Sequence, residues 1–497
     1  MAEKTLQLIE HLDPTLFREV RWYRHKDRQI RKIKLKDWQA LNLSTDRKLL
    51  LLCFLELHFA GSKEGPDSAV YYLPLLISPD NTGPGITWLK IRHLQHGFST
   101  YLKEAVHSRE YYRILAQLSQ TTGKISLNKG GKLIIQGFGQ LAAEQAQMLT
   151  GVSSNSLTSL GKTVAKTYRN PEPGLNPELE ITTALTQKTS FKAFPRIQGY
   201  LKYITGNREY TVCLLEEHLE AATNTWKFTR ETLAALYADR VNREQILEDY
   251  CCQIRKLGQI LAEFHLALAG VKQPAFYPEK PTTGDLKSWL QINRDQLGTI
   301  KQYSRQHANG SAPLEVKKII DHQQAIAHRL EQIFELRQYL GQYLRIHGDL
   351  HLEQVLKQGS RFFLLDFEGE PLKPLDKRRN KQSPLKDVAG ILRSLNYAGY
   401  SFLFEHLQDR SGKNGREQSL THLISSWEQQ AAECFMEGYQ RRVRARNRLL
   451  LPPAKHFNSV LSLFKLEKAL YEFLYELNNR PDWLKIPGRG ILDCLDK

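Results

Sequence analysis

An α+β fold, with a β-rich first part and a helix-rich second part, is what this 497-residue sequence predicts. Three observations carry the expectation. Apolar residues alternate or cluster in short blocks up to about residue 216, helical periodicity dominates from residue 217, and only one short β piece, 361–366, interrupts the helices. A chain of this length exceeds one ordinary core, so two or three packed units are expected. We place them at 1–107, 108–216 and 217–497.

The elements follow in order. The apolar run 49–60, broken by Glu56 and His58, reads as a buried strand or helix. V-Y-Y-L-P-L-L-I at 70–77 reads as a strand that Pro74 pushes towards a sheet edge. Two strand-like runs within 124–137, split by Gly130-Gly131, form a hairpin signal. A further β piece covers 157–168, and a Pro/Gly turn at 171–174 follows. Asn176-Pro177 then opens a helix, with Asn as the cap and Pro in the first turn. Helical periodicity marks 230–238, 243–269, 314–343, 419–446 and 457–478.

Composition narrows the class. Hydrophobic content of 41% and charged content of 25% are those of a globular protein, and no stretch is long and apolar enough to cross a bilayer. The N-terminus lacks the apolar core of a signal peptide. Six scattered cysteines form no C-x-x-C pair, which fits a reducing cytoplasm rather than a zinc or disulfide framework. The net charge is +17, but the basic residues are dispersed apart from clusters at 21–36 and 373–386, and no aromatic pattern accompanies them. A solvated basic surface is therefore preferred to a nucleic-acid patch, and its field would attract an anionic substrate such as ATP.

The chemistry is concentrated in 347–370. H-G-D-L-H-L-E-Q-V-L leads through a turn at 358–360 into R-F-F-L-L-D-F-E-G-E-P. Phosphoryl transfer needs a carboxylate to orient the attacking hydroxyl and take its proton, and oxygen ligands for magnesium. The protein-kinase catalytic loop, H-R-D-L-x-x-x-N, sets its base and its metal-binding amide five residues apart. Asp349 and Gln354 keep that spacing. Asp366, at the end of an apolar strand and followed by Phe367, takes the place of the metal-binding Asp of D-F-G, and Glu368 adds a carboxylate. His347 reads as a brace for the loop. His351 either touches substrate or packs.

A kinase also needs a strand lysine on the phosphates and a helix carboxylate beside it. Lys166, in V-A-K-T-Y, is such a lysine, and the next helix offers Glu178 and Glu180. In place of a Gly-rich loop stands Gly151-Val152-Ser153-Ser154-Asn155-Ser156, whose small polar residues can offer N–H groups and hydroxyls to phosphates. Strand 211–215 followed by Glu216-Glu217-His218-Leu219 would be the adenine-binding hinge, with Glu217 and Leu219 as its contacts.

These residues resemble one family nearly end to end: the bacterial maltokinases, aminoglycoside-phosphotransferase-like enzymes. The resemblance rests on R-W-Y-R-H-K-D-R, S-S-N-S-L, A-K-T-Y-R-N-P-E-P-G-L-N-P-E-L-E and L-G-Q-I-L-A-E-F-H. It is closest in H-G-D-L-H-L-E-Q-V-L, D-F-E-G-E-P, S-P-L-K-D-V-A-G-I-L-R-S-L-N-Y-A and K-A-L-Y-E-F-L-Y-E-L-N-N-R-P-D-W-L. It implies a bilobal protein-kinase-like fold: a β-rich N-lobe with an extra N-terminal cap subdomain, and a mainly helical C-lobe. It implies transfer of the γ-phosphate of ATP to the anomeric hydroxyl of maltose, feeding α-glucan synthesis, with ATP and Mg2+ required. Asp349 would be the base, Gln354 and Asp366 the magnesium ligands, and Lys166 with Glu180 the nucleotide contacts.

The resemblance also puts the sugar against Lys468, Tyr471 and Tyr475, with Arg393 facing it and Asp387 bracing the catalytic loop. The first three share one helical face, which the residues alone would equally assign to a core stripe with a snorkelling lysine. A cytoplasmic monomer with a functional link to trehalose synthase, and without nucleic-acid or membrane partners, completes the expectation. Glu353 departs from the family, which usually has Gly there. Related glucosamine kinases share the cap and catalytic motifs. A non-catalytic pseudokinase is the reading from another class, and the intact Asp349, Gln354, Asp366 and Lys166 speak against it.

Overall fold

A computed structural model of the chain describes residues 2–43, 48–61, 67–82, 85–93, 98–149, 155–307, 312–371, 373–407 and 414–495. The chain forms two compact units: Met1–Thr183 with Pro195–Glu220, and Ala184–Phe194 with Ala221–Lys497.

The first unit carries two antiparallel sheets. The six-stranded sheet runs Ile30–Asn42, Leu49–Phe59, Leu75–Ser78, Phe98–Glu104, Thr87–His93, with Ser68–Tyr72 paired to Leu49–Phe59. Leu49–Phe59 is buried along most of its length, so its near-continuous apolar run is that of a central strand. Pro74 does not make one edge strand of 70–77. It divides the run into two strands, and Leu75–Ser78 lies inside the sheet between Leu49–Phe59 and Phe98–Glu104. Proline has no N–H for a ladder, so it falls at the break, where its carbonyl accepts from Ala105 N.

The seven-stranded sheet runs Lys124–Ser126, Lys132–Gln136, Ile197–Thr205, Arg208–Glu217, Thr163–Thr167, Ser156–Leu160, Ala146–Met148. The expected hairpin at 124–137 is present, with Lys124 opposite Ile134. Helix Pro177–Lys188 starts where the Asn-Pro signal puts it: Asn176 Oδ1 accepts from Glu178 N at 2.8 Å and Leu179 N at 3.1 Å.

The second unit is mainly helical. Arg243–Ala269 and Asn414–Arg446 pack along each other, with Tyr250 against Trp427 at 5.7 Å between ring centroids. Leu385–Leu407 is buried along most of its length, and Ala454–Asn479 packs on it. One small sheet, Thr223–Asn224, Val355–Gln358 and Arg361–Leu364, holds the β piece expected at 361–366, which pairs with Val355–Gln358 as a hairpin and ends at Leu364. The single helix expected at 314–343 is instead Leu314–Asp321 and Gln323–Glu331, followed by a short 3-10 turn. His322 sits between the two with φ −99° and ψ 8°, outside the helical region, and its Nδ1 lies 2.8 Å from Lys318 O. Thr283–Gln306 is a long helix that periodicity alone does not announce. Its signal is Thr282-x-x-Asp285, a reciprocal capping box. Among the described residues no helix is long and apolar enough to cross a membrane.

Candidate active site

The loop that carries Asp349 is held by a buried carboxylate on helix Leu385–Leu407. Asp387 accepts from His347 N at 2.8 Å and Gly348 N at 2.9 Å, and His265 Nε2 lies 3.0 Å away. Behind it, His265 Nδ1 meets Tyr439 Oη at 2.8 Å. All of Asp387, His265 and Tyr439 are buried. Burial alone would raise the Asp387 pKa, but the His265 hydrogen bond, the His265 and His347 charges and the Gly348 N–H outweigh it and hold it below the usual carboxylate value. Gly348 has φ +87°, a left-handed conformation that glycine adopts without strain. At Gly390 a Cβ would come within 2.2 Å of Leu350 O, so the helix can approach the loop only through glycine.

His347 braces the loop as expected: its Nε2 lies 2.6 Å from Leu365 O, joining the loop to the strand before Asp366. Phe367 packs on Phe264 and on the His347 ring. Leu365 N donates to Gln354 O at 2.9 Å, and Gln354 Nε2 to Asp366 Oδ2 at 2.8 Å. Asp366 has φ +63°, unusual for a residue with a Cβ and typical of functional turns. Carboxylate oxygens of Asp366 and Glu368 lie within 4.8 Å of each other. An amide and two carboxylates gathered on one hairpin form a hard-oxygen donor set that suits magnesium. The amide orientation places nitrogen towards Asp366, and a turn of that group presents its oxygen.

Beside Asp349 opens a cavity of about 460 Å³. Lys468, Tyr471 and Tyr475 line it, as does His351, so these four expected substrate contacts share one wall system with the expected base. Lys468 Nζ lies 3.3 Å from Asp349 Oδ1. Burial works against the Lys468 ammonium, but the charges of Asp349 and Glu472 outweigh it and hold its pKa above that of an ordinary lysine. Burial pushes the Tyr471 phenol up to about 12, so it stays a neutral donor. Burial also holds His351 below its usual value, against the pull of Asp349.

Arg393 is placed differently. It is only 2% exposed, and its guanidinium donates to Glu472 at 2.8 Å and Asn396 at 3.0 Å. It stands behind the wall and orients Glu472, which lines the cavity, rather than lining the cavity itself. Trp226, Tyr397, Glu476, Arg480 and Trp483 also line it and were not anticipated. Glu472 and Glu476 had a signal, since both lie in the Y-E-x-x-Y-E repeat. Trp226, far away in sequence, had none.

In the first unit Lys166 is 6% exposed, and its Nζ lies 2.6 Å from Glu178. Glu178 is itself 1% exposed and also accepts from Tyr168 Oη. The carboxylate bound to the strand lysine is therefore Glu178, not the expected Glu180. Two helical steps of about 100° separate the two side chains, so they leave the helix on nearly opposite sides. Glu180 is half-exposed. Glu217 closes strand Arg208–Glu217, with its N bonded to Arg196 O, and Leu219 follows, half-buried, in the segment after it. Ser156 begins strand Ser156–Leu160, and Asn155 precedes it. Ser153 and Ser154 lie outside the described residues.

With a β-rich first unit, a helical second unit and this hairpin, the chain has a protein-kinase-like fold. A glucosamine kinase solved with glucosamine, ADP and inorganic phosphate superposes with a TM-score of 0.64 at 19% identity, covering 98% of both chains. A second crystal form of glucosamine kinase gives 0.65 at 18% identity over 99% of both. In sequence, the chain is 25% identical over 329 residues to a glucosamine kinase of Streptacidiphilus jiangxiensis, covering 65% of this chain and 66%, just under two thirds, of that one. It is 23% identical over 388 residues to a glucosamine kinase of Mycolicibacterium smegmatis, covering 77% of this chain and 87% of the relative. No family model matches the chain.

Proposed function

We propose that this protein is an ATP-dependent sugar kinase whose acceptor is maltose, phosphorylated at its anomeric hydroxyl to give maltose 1-phosphate and ADP. The observation that carries the reading is the aromatic cavity opening on Asp349. Its tyrosine and tryptophan rings suit the C–H faces of a sugar, and its carboxylates and lysine suit the hydroxyls. A volume of about 460 Å³ is generous for one hexose ring. The maltokinase-like Lys468/Tyr471/Tyr475 pattern supports the same acceptor.

In this reading the acceptor hydroxyl lies against Asp349. As its oxygen bonds to the γ-phosphorus and the bond to the ADP oxygen breaks, Asp349 takes the proton. Lys468 holds the carboxylate in place beforehand. Gln354, Asp366 and Glu368 would hold magnesium, which supplies charge neutralisation for the phosphates when bound. Lys166, fixed by Glu178, would hold the α/β-phosphates, and the backbone at Glu217 and Leu219 would meet adenine. The product would feed α-glucan synthesis in the cytoplasm, downstream of an enzyme of the trehalose synthase kind.

A second reading is favoured by two of the sequence relatives, both glucosamine kinases: an amino sugar as acceptor. ADP release measured across a sugar panel with Mg2+ and ATP separates them. Turnover with maltose and not glucosamine supports the first, the reverse supports the second, and no turnover with any sugar overturns both.

Two further outcomes follow from the site. Tyr471→Ala and Tyr475→Ala should each raise KM for the sugar by about fivefold to tenfold, the worth of one aromatic contact, with KM for ATP unchanged. Glu178→Gln should raise KM for ATP by about tenfold or more, because a neutral amide no longer fixes the Lys166 ammonium. Glu180→Gln should have a smaller effect, and equal effects would count against the pairing.

A further inference from the structure

A second, smaller chamber of about 60 Å³ adjoins the aromatic cavity and shares Asp349, Gly390, Lys468 and Tyr471 with it. Three lysine–carboxylate pairs border it. Besides Lys468–Asp349 at 3.3 Å, Lys386 meets Glu467 at 2.6 Å and Lys373 meets Glu370 at 2.5 Å. Glu467 is further fixed by Trp289 Nε1 at 2.7 Å, and Lys386 by Gln382 at 2.8 Å. Phe464 and Ile292 supply the apolar part of the lining.

We infer that this chamber is a subsite for the polar edge of the acceptor ring. It receives the hydroxyl next to the one phosphorylated, and Glu467 and Lys386 read it. The inference rests on the maltose reading above. Three arguments support it. The chamber has room for a few water-sized groups, not for a ring. A hydroxyl both donates and accepts, and a lysine–carboxylate pair offers the matching acceptor and donor together. Half-buried ion pairs contribute little to stability after desolvation, so three around one small space beside the base are not accounted for by the fold.

The test is a cycle between the protein and the acceptor. Maltose is compared with its 2-deoxy analogue, which lacks the hydroxyl beside the anomeric one, in the wild type and in Glu467→Gln. A charge-assisted hydrogen bond predicts that the deoxy analogue loses about 10–100-fold in kcat/KM with the wild type. In Glu467→Gln that penalty should shrink towards unity. An unchanged penalty, with both sugars slowed alike, would overturn the inference and leave Glu467 structural. A wild type indifferent to the missing hydroxyl would overturn it as well. A wild type inactive on maltose would defeat the underlying reading, which is a distinguishable outcome. Should Glu467→Gln melt early, Lys386→Gln runs the same cycle from the other partner.

Discussion

Asp349→Asn is expected to lower kcat by about 10²–10⁴ while leaving the fold intact. Asparagine keeps the size and can still accept a hydrogen bond from the sugar, but it cannot take the proton. The sugar should therefore bind with a KM within a few-fold of the wild type, and the loss should fall on turnover. Stability should change by less than about 1 kcal/mol, because the lost partner, Lys468, is part-exposed at 3.3 Å and solvent screens the pair. Steady-state ADP release with a thermal melt on the same sample checks both halves. Retained turnover would move the base elsewhere.

The second large effect is expected at Asp387. Asp387→Ala strands the His347 and Gly348 N–H groups and the Nε2 of His265, all in buried surroundings. A cost of about 3–5 kcal/mol in unfolding free energy follows, together with loss of activity through a disordered catalytic loop. Denaturant unfolding measures the first and ADP release the second. The acid limb carries a further signature. The folded-state pKa of Asp387 lies below its ordinary value, so its contribution is complete above the unfolded value of about 3.9 and is lost as pH falls through the folded value. The stability gap between wild type and variant should therefore close below about pH 4. A gap that persists unchanged in acid would assign the effect to packing instead.

Much of the loop and hairpin from Asp349 to Asp366 was legible because its geometry is local. Asp349, Gln354 and Asp366 sit within 18 residues, and a loop, a short turn and two strands of that length leave few ways to arrange them. Helix Arg243–Ala269 was legible to the residue because its periodicity runs unbroken between clear ends. Glu178 against Glu180 was harder. Both are first-turn acids, and only the rotation of the helix against the lysine strand decides between them, a tertiary fact. Arg393 was misplaced for a similar reason: a helix so largely buried has no outward face from which to read a ligand. The cavity wall was half legible, since one helix supplies Lys468, Tyr471, Glu472, Tyr475 and Glu476, whereas Trp226 and Tyr397 arrive from elsewhere in the fold.

The chain of contacts from Tyr439 through His265 to Asp387 has a consequence for transplantation. H-G-D-L-H is short enough to graft, yet its backbone geometry is not stored in those five residues. It is stored in three helices, Arg243–Ala269, Leu385–Leu407 and Asn414–Arg446, whose buried polar groups meet behind it. A scaffold that receives the loop without those helices receives Asp349 with nothing to aim it.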